Sequence, residues 1–390
     1  MELHTLIDYS VLRVIWWLLL GVLLVGFAVM DGFDLGAATL LPFVGKNDVE
    51  RRIVINTIGP VWEGNQVWLI TGGGAIFAAW PILYAVSFSG FYLAMFAILL
   101  ALILRPVGFK YRSKLHDASW RKTWDWCLFV GGAVPALVMG VALGNVLQGV
   151  PFYFNDEQRI FYDGTTLFEL LNPFGIMAGL ISVAMLVMHG ASWLAVKTQG
   201  AVESRARTIG AVAALATAVL YLLAGVWLYM GIKGYQVTQH LPGWENGPSN
   251  PLLKTVVASA DVNQWFVNYG KCAALWLVPA LGVIGALVAA VFLKLKKSGV
   301  LAWIFSGVSI AGIILSVGVS MFPFILPSSK DPSASLMVWD TSSSHMILFI
   351  MLVVALIFVP IVLAYTSYAY YVLRGKVTRE SVDDSKTFSY

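Results

Sequence analysis

Long apolar runs, with the polar residues gathered between them, set the rhythm of this chain. Inside hydrocarbon every backbone polar group must be satisfied within its own segment, so uncharged runs of about 20 residues read as membrane-crossing helices. Nine are expected, over residues 14–30, 53–77, 82–104, 127–147, 172–196, 208–230, 272–293, 300–322 and 346–371, and the second is interrupted only by Glu63. From Gly64 to Leu104 there are 41 residues without a charge, too many for one crossing, so a tight turn is placed at Trp80 and Pro81. The two longest connecting segments, 148–171 and 231–271, carry Gly, Pro, Asn and acids. They suit an ordered cap or a lid more than a separate domain. No strong repeat is present: Val134-Pro135-Ala136-Leu137 recurs at 278–281, but four residues carry little weight.

Positive charge tests that count, because cytoplasmic loops hold the excess of Lys and Arg. Taking the nine spans in turn, 19 of the 25 basic residues fall on one side, and only Arg13, Arg159, Lys233, Lys254, Lys271 and Lys330 fall on the other. The N-terminus is therefore expected outside, in the periplasm, and the C-terminus, with a tail over 373–390, in the cytoplasm. The net charge of +4 reflects topology and not a nucleic-acid partner. Composition agrees: 59% apolar, 12% charged, a mean hydropathy of +0.79, and 15 Trp with 15 Tyr suited to the two membrane interfaces. These values exclude a disordered chain, a coiled coil and a secreted disulfide scaffold. Cys127 and Cys272 are too few for a disulfide framework or a Cys-rich metal or iron-sulfur site. The first apolar run lacks a basic leader and a small-residue cleavage site, so it is expected to be a retained helix.

Glu63 stands out chemically. If one helix entered the membrane at Arg52, a rise of 1.5 Å per residue would put Glu63 roughly 16 Å deep. An ionisable group there costs about 2.5–3.5 kcal/mol on insertion scales, so it is expected to face the protein interior or a wet cavity. Asn65 and Gln66 follow it, Gln66 on the same face. Two readings stand: a carboxyl that holds and passes a proton, or a structural acid bonded to a neighbouring helix. Asp31 and Asp34, spaced i, i+3, share a face at the expected cytoplasmic end of the first helix, level with Arg105. A pair such as Asp34 with Arg105 would be a helix-end ion pair, and would also shape a proton inlet. His189 is the only histidine well inside a span, and reads as a hydrogen-bonded packing residue or as a lone axial haem ligand. Gly72-Gly73-Gly74-Ala75 either allows close helix packing or leaves a narrow apolar passage, and Trp68 either lines that passage or fills the core. Walker, HExxH, nucleophile-elbow and dinucleotide motifs are absent, so the chain alone has no evident means of redox chemistry.

A set of segments running in order along nearly the whole chain resembles one family. They include Arg13-Val14-Ile15-Trp16-Trp17, Gly26 to Gly36, Glu50-Arg51-Arg52, Trp62-Glu63-Gly64-Asn65-Gln66-Val67-Trp68-Leu69 and Ala79-Trp80-Pro81. Further along come Phe88 to Tyr92, Arg105-Pro106-Val107-Gly108-Phe109, Gly144 to Gly149, Leu171 to Gly175 and Met321-Phe322-Pro323-Phe324. Together they resemble subunit II of the bacterial cytochrome bd quinol oxidases. The resemblance implies an all-α membrane fold of two four-helix bundles plus a peripheral helix, the first bundle over about 12–147 and the second with the peripheral helix over about 171–372. It implies pairing with a related subunit I, a small single-span subunit, surrounding lipids, and residence in the bacterial cytoplasmic (inner) membrane. In the family the complex oxidises quinol at the outer face and reduces oxygen to water. It takes its protons from the cytoplasm and so generates a proton-motive force without pumping. Two b-type haems and one d-type haem lie in subunit I, and some members hold a structural quinone in subunit II. By position, Glu63 is implied as the proton-path carboxylate, with Trp68 near the oxygen entrance; some relatives carry Asp in place of Glu63. Gly72, in the small-residue run, is the other oxygen-channel candidate.

One other class fits a mid-membrane acid on nine helices, a proton-coupled secondary transporter. Such carriers are usually built from internal repeats, which this chain lacks.

Overall fold

The computed structural model describes residues 3–163, 167–261 and 263–383, so residues 384–390 of the expected tail lie outside the described part. Fifteen helices follow one another: α1 Tyr9–Val44, α2 Asp48–Ile58, α3 Trp62–Ala79, α4 Pro81–Gly90, α5 Tyr92–Leu102, α6 Leu104–Tyr111, α7 Ala118–Gln148, α8 Leu167–Leu170, α9 Pro173–Lys197, α10 Gly200–Gly231, α11 Val267–Lys271, α12 Leu277–Lys294, α13 Gly299–Met321, α14 His345–Val372 and α15 Arg379–Asp383. Eight helical stretches among the described residues are long and apolar enough to cross a membrane. The molecule is thus an all-α membrane protein.

Seven of the nine expected spans coincide with single long stretches, and two are broken. The run 53–77 is interrupted at Gly59-Pro60-Val61 and becomes α2 and α3. Gly59 keeps helical geometry, but Pro60 has no backbone N–H to continue the helical hydrogen bonding, and the helix stops there. The run 82–104 is interrupted at Phe91 and again at Ile103, giving α4 and then a stretch over Tyr92–Tyr111. The turn at Trp80 forms as expected: its backbone leaves helical geometry at φ −136°, and Pro81 opens α4, where a missing N–H costs nothing. The first helix is longer than its apolar run and continues from Met30 through Asp31 and Asp34 to Val44.

Helices α1, α7, α9 and α10 form the packed middle of the molecule, with α12 and α13 against α9 and α10. At the crossing of α1 and α9 the backbones nearly touch. A Cβ at Gly36 would lie 1.9 Å from the Leu186 carbonyl oxygen, and one at Gly190 would lie 2.4 Å from the Ala37 nitrogen. Only glycine permits that approach.

One end of the bundle carries a cap of three short hairpins: β1 Phe152–Phe154 with β2 Ile160–Tyr162, β3 Tyr235–His240 with β4 Lys254–Ala258, and β5 Phe324–Leu326 with β6 Leu336–Met337. These lie in the segments expected to form an ordered cap, joined by the 324–337 hairpin. Arg13, fully buried in the second turn of α1, locks the cap on. It donates to Ser342 Oγ at 2.8 Å, to the Glu245 carbonyl at 2.7 Å, and to the Gly247 carbonyl and Ser249 Oγ at 3.0 Å. Nearby, Lys254 Nζ lies 2.6 Å from Asp340 Oδ2 with both side chains out of water. Burial pushes the Lys254 ammonium down and the Asp340 carboxyl up from their ordinary pKa ranges, against their mutual attraction. The other end is arginine-rich: Arg112 and Arg51 share Asp125, Arg112 and Arg121 share Asp48, and Arg205 holds Glu50 at 2.7 Å. The Arg205 hydrogen bond holds the Glu50 carboxyl below its ordinary range.

Candidate functional site

Three helices, α3, α6 and α14, bring polar side chains to the two acids of α1. Because α1 runs on to Val44, Asp31 stands about 33 Å along a helix of about 54 Å and not at its end. Both Asp31 and Asp34 are fully buried, as is Arg105 in the first turn of α6. Arg105 grips Asp31 with two parallel bonds, Nη2 to Oδ1 at 2.7 Å and Nη1 to Oδ2 at 3.0 Å. That bidentate fit is the strongest pairing that a guanidinium and a carboxylate make. The expected partner, Asp34, is not the one that Arg105 takes. The i, i+3 spacing places both acids on one face of α1, but the fork fits Asp31 alone, and Asp34 turns to α3. There Asn65 Nδ2 donates to Asp34 Oδ2 at 2.7 Å. Asn65 in turn accepts at Oδ1 from the Tyr370 hydroxyl of α14, at 2.6 Å. The second oxygen of Asp34, Oδ1, is buried with no hydrogen-bond partner among the described residues. Trp62 closes the side of the site, its ring 5.9 Å from the Arg105 guanidinium carbon.

Glu63 is not where a continuous helix would have put it. The break at Pro60 ends the straight rise from Arg52, so Glu63 sits in the first turn of α3, where the N-terminal end of the helix dipole favours a carboxylate. It does not face the interior of this chain: it is exposed, and it lies on an open stripe of α3 with Gly64, Val67, Ile70, Thr71, Gly74 and Phe77. Gln66 is half-buried. Asn65, two residues from Glu63, is what links α3 to the buried acids.

Trp68 is half-buried, and its ring occupies the place that a Cβ at Gly26 of α1 would need, 2.4 Å from Cε3. Gly72 is buried, yet a Cβ built on it would meet no atom within 4 Å, so open space adjoins it. His189 has both ring nitrogens engaged, Nδ1 with Ser306 Oγ at 2.7 Å and Nε2 with the Val29 carbonyl at 2.9 Å, and it stacks on Trp303. The packing reading of this histidine is therefore the one that the geometry carries. Nothing in the sequence singles out Tyr370. It stands in Tyr368-Ala369-Tyr370-Tyr371, at the end of an apolar run, where tyrosines ordinarily mark the membrane interface.

The family model for cytochrome bd terminal oxidase subunit II matches residues 12–373. The chain is 51% identical over 385 residues to a probable cytochrome oxidase subunit 2 of Haemophilus influenzae, covering 99% of this chain and all of that one. It is 50% identical over 378 residues to cytochrome bd-I ubiquinol oxidase subunit 2 of Escherichia coli K12, covering 97% of this chain and 98% of that one. A cytochrome bd ubiquinol oxidase subunit 2 of Bacillus subtilis is 33% identical over 369 residues, covering 94% of this chain and 97% of that one. The fold matches a chain in the structure of bd oxidase from Geobacillus thermodenitrificans with a TM-score of 0.67 at 16% identity, over 93% of this chain and 97% of that one. Eight apolar helices and bacterial relatives of this kind make it a multi-pass protein of the bacterial inner membrane. This chain belongs to the family of subunit II of the cytochrome bd terminal oxidases.

Proposed function

We propose that this chain supports a haem-bearing subunit I in a quinol oxidase and opens proton and oxygen access to it. The complex oxidises quinol, reduces oxygen to water with protons from the cytoplasm, and builds a proton-motive force without pumping. The relatives in Escherichia coli and Bacillus subtilis carry the name of ubiquinol oxidase, which supports the quinol part of this reading. The transporter alternative finds no support in those relatives. In this reading the cap end faces the periplasm and the arginine-rich end the cytoplasm. The membrane domain divides into bundles at about 12–147 and 171–372, and a small single-span subunit and lipids complete the assembly. A structural quinone of the kind that some family members hold is assigned to no residue of this chain.

The donor set of this chain does not suit a haem. His189, its one buried histidine among the described residues, spends both nitrogens on Ser306 and Val29, and no cluster of three metal-ligating side chains forms among the described residues. That agrees with the family resemblance, which implies two b-type haems and one d-type haem in subunit I, supplying electron transfer and oxygen reduction there.

The observation that carries the proton role is that one helix, α3, holds both the amide that touches the buried Asp34 and, two residues before it, an exposed acid. Asp34 is held through Asn65, and Glu63 lies on the stripe of α3 that this chain leaves open. Docking of subunit I on that stripe covers Glu63 and turns it into an interior carboxyl at the subunit junction. Arg105 grips Asp31 with two parallel hydrogen bonds beside Asp34, while Gln66 offers an amide on the Glu63 side. Trp68 and the open space at Gly72 give oxygen a way in.

The test is Glu63→Gln in the assembled oxidase. The amide keeps size and hydrogen bonding but transfers no proton, so haem content is expected to stay at the wild-type level. Oxygen-consumption turnover is expected to fall by about 10²-fold, the lower range of positioned acid–base catalysis. Turnover equal to wild type across pH would remove Glu63 from the path.

A further inference from the structure

Helix α14 is the most peripheral of the long helices. Only Leu348 and Leu352 along it are buried, yet its inner turn delivers a hydroxyl into the most polar site of the molecule. Both ends of α14 are pinned. At the cap end Trp16 Nε1 donates to the Leu348 carbonyl at 2.9 Å, and His345 stacks on Tyr9. At the other end the chain doubles back under the bundle: Lys197 Nζ donates to the Leu373 carbonyl, Val377 N to the Lys197 carbonyl at 2.7 Å, and Arg52 Nη2 to the Val382 carbonyl at 3.0 Å. Tyr370 lies between these anchors and packs edge-on to Trp193, with ring centroids 6.1 Å apart.

We propose that Tyr370 is a positioning residue: by donating to Asn65 Oδ1 it fixes the orientation of that amide, so that the Asn65 N–H is aimed at Asp34 and favours the carboxylate over the carboxylic acid. A primary amide presents either an N–H or a carbonyl oxygen to a neighbour, and a half-turn about its last bond exchanges them. An N–H directed at a carboxyl favours the charged form, and a carbonyl favours the protonated one. The hydroxyl at 370 selects the first. The groups facing Asp34 are Asp31 on its own helix, Arg105 from α6, Asn65 from α3 with Glu63 two residues before it, and Tyr370 from α14. Among these Asn65 is the one that touches Asp34 and can reverse its polarity without moving the backbone. The proposal rests on the reading of Asp34 as part of the proton path.

The experiment measures oxygen-consumption turnover against pH in the purified complex for Tyr370→Phe, Asn65→Asp, Asp34→Asn and wild type, with haem content as the check on assembly. Tyr370→Phe removes one oxygen and keeps the ring against Trp193. It is expected to shift the pH profile upward by about one unit, a tenfold change in proton affinity, because the amide is no longer held toward the carboxylate. Asn65→Asp keeps an acceptor for the Tyr370 hydroxyl but takes the N–H away from Asp34, and is expected to move the profile in the same direction. The double variant Tyr370→Phe with Asn65→Asp is expected to shift no further than Asn65→Asp alone, as two residues acting through one contact require. A profile unchanged in Tyr370→Phe, while Asp34→Asn lowers turnover, overturns the role of Tyr370 and leaves the proton path standing. Wild-type turnover and profile in Asp34→Asn overturn both. If Tyr370→Phe lacks haem, the profile of Asn65→Asp decides, and no shift there overturns the proposal.

Discussion

Asp31 and Arg105 show how much a single buried pair contributes when neither partner reaches water. Both side chains are completely buried, and the two bonds of 2.7 and 3.0 Å are the only compensation that the described residues offer for the lost hydration of Asp31. Removing one partner strands the other as a bare charge, a loss of about 3–5 kcal/mol, whereas replacing both with apolar groups is often close to neutral. Arg105→Leu is therefore expected to lower the melting temperature of the purified complex markedly, and the double change of Asp31 and Arg105 to Leu to recover most of the loss. Arg105→Lys falls between, since an ammonium cannot make the two parallel bonds. A melting temperature for Arg105→Leu equal to that of wild type would show that the pair does not hold α6 to α1. That two acids and an arginine belong together is legible in the sequence, because charges are so scarce in these runs. Which acid takes the arginine is not, since the choice depends on where α6 begins and how it faces α1.

The elements were legible to the extent that hydropathy alone decides them. Seven of the expected spans are single helical stretches because their sequences satisfy the bilayer without help from tertiary contacts. The break after α2 is invisible to hydropathy, since Gly59-Pro60-Val61 is as apolar as its flanks; only the chemistry of Pro60 marks it. Missing that break is what put Glu63 at mid-membrane depth. The extension of α1 past Asp34 was hidden for the opposite reason: two acids look like a helix end until Arg105 and Asn65 pair with them. Glycine positions carried a packing signal without a partner. The contact of Gly36 with Gly190 joins α1 to α9, and added side-chain volume there meets backbone, which cannot step aside. Gly190→Val is expected to prevent recovery of an intact complex from the membrane, while Gly225→Ala, where a Cβ meets nothing within 4 Å, leaves recovery unchanged. Equal yields of the two variants would mean that the α1–α9 crossing tolerates separation.

At the scale of the whole molecule, the sidedness of charge and the sidedness of structure coincide. The end with the hairpin cap carries Arg159, Lys233, Lys254, Lys271 and Lys330, and three of these lie in ion pairs between described residues, with Glu157, Asp340 and Asp163 respectively for Arg159, Lys254 and Lys330. The opposite end gathers Lys46, Arg51, Arg52, Arg112, Arg121, Arg205 and Arg207, in positions that loops on the cytoplasmic side of a bilayer favour. The cap of β-hairpins, clamped by Arg13, shields the helix ends on one side, and the arginine cluster and the returning tail at 373–383 lie on the other. That sidedness supports the proposed orientation, with the cap outward, and is open to a direct measurement. Glu157 stands at the tip of the first hairpin with its side chain 67% exposed. In a background where both native cysteines, half-buried Cys127 and exposed Cys272, are changed to Ser, a single cysteine placed by Glu157→Cys is expected to react with a membrane-impermeant maleimide added to intact cells with a permeabilised outer membrane. A cysteine placed by Lys114→Cys is expected to react only after the inner membrane is opened. The reverse pattern would turn the whole molecule over, and with it the direction of the proposed proton path through Asp34 and Glu63.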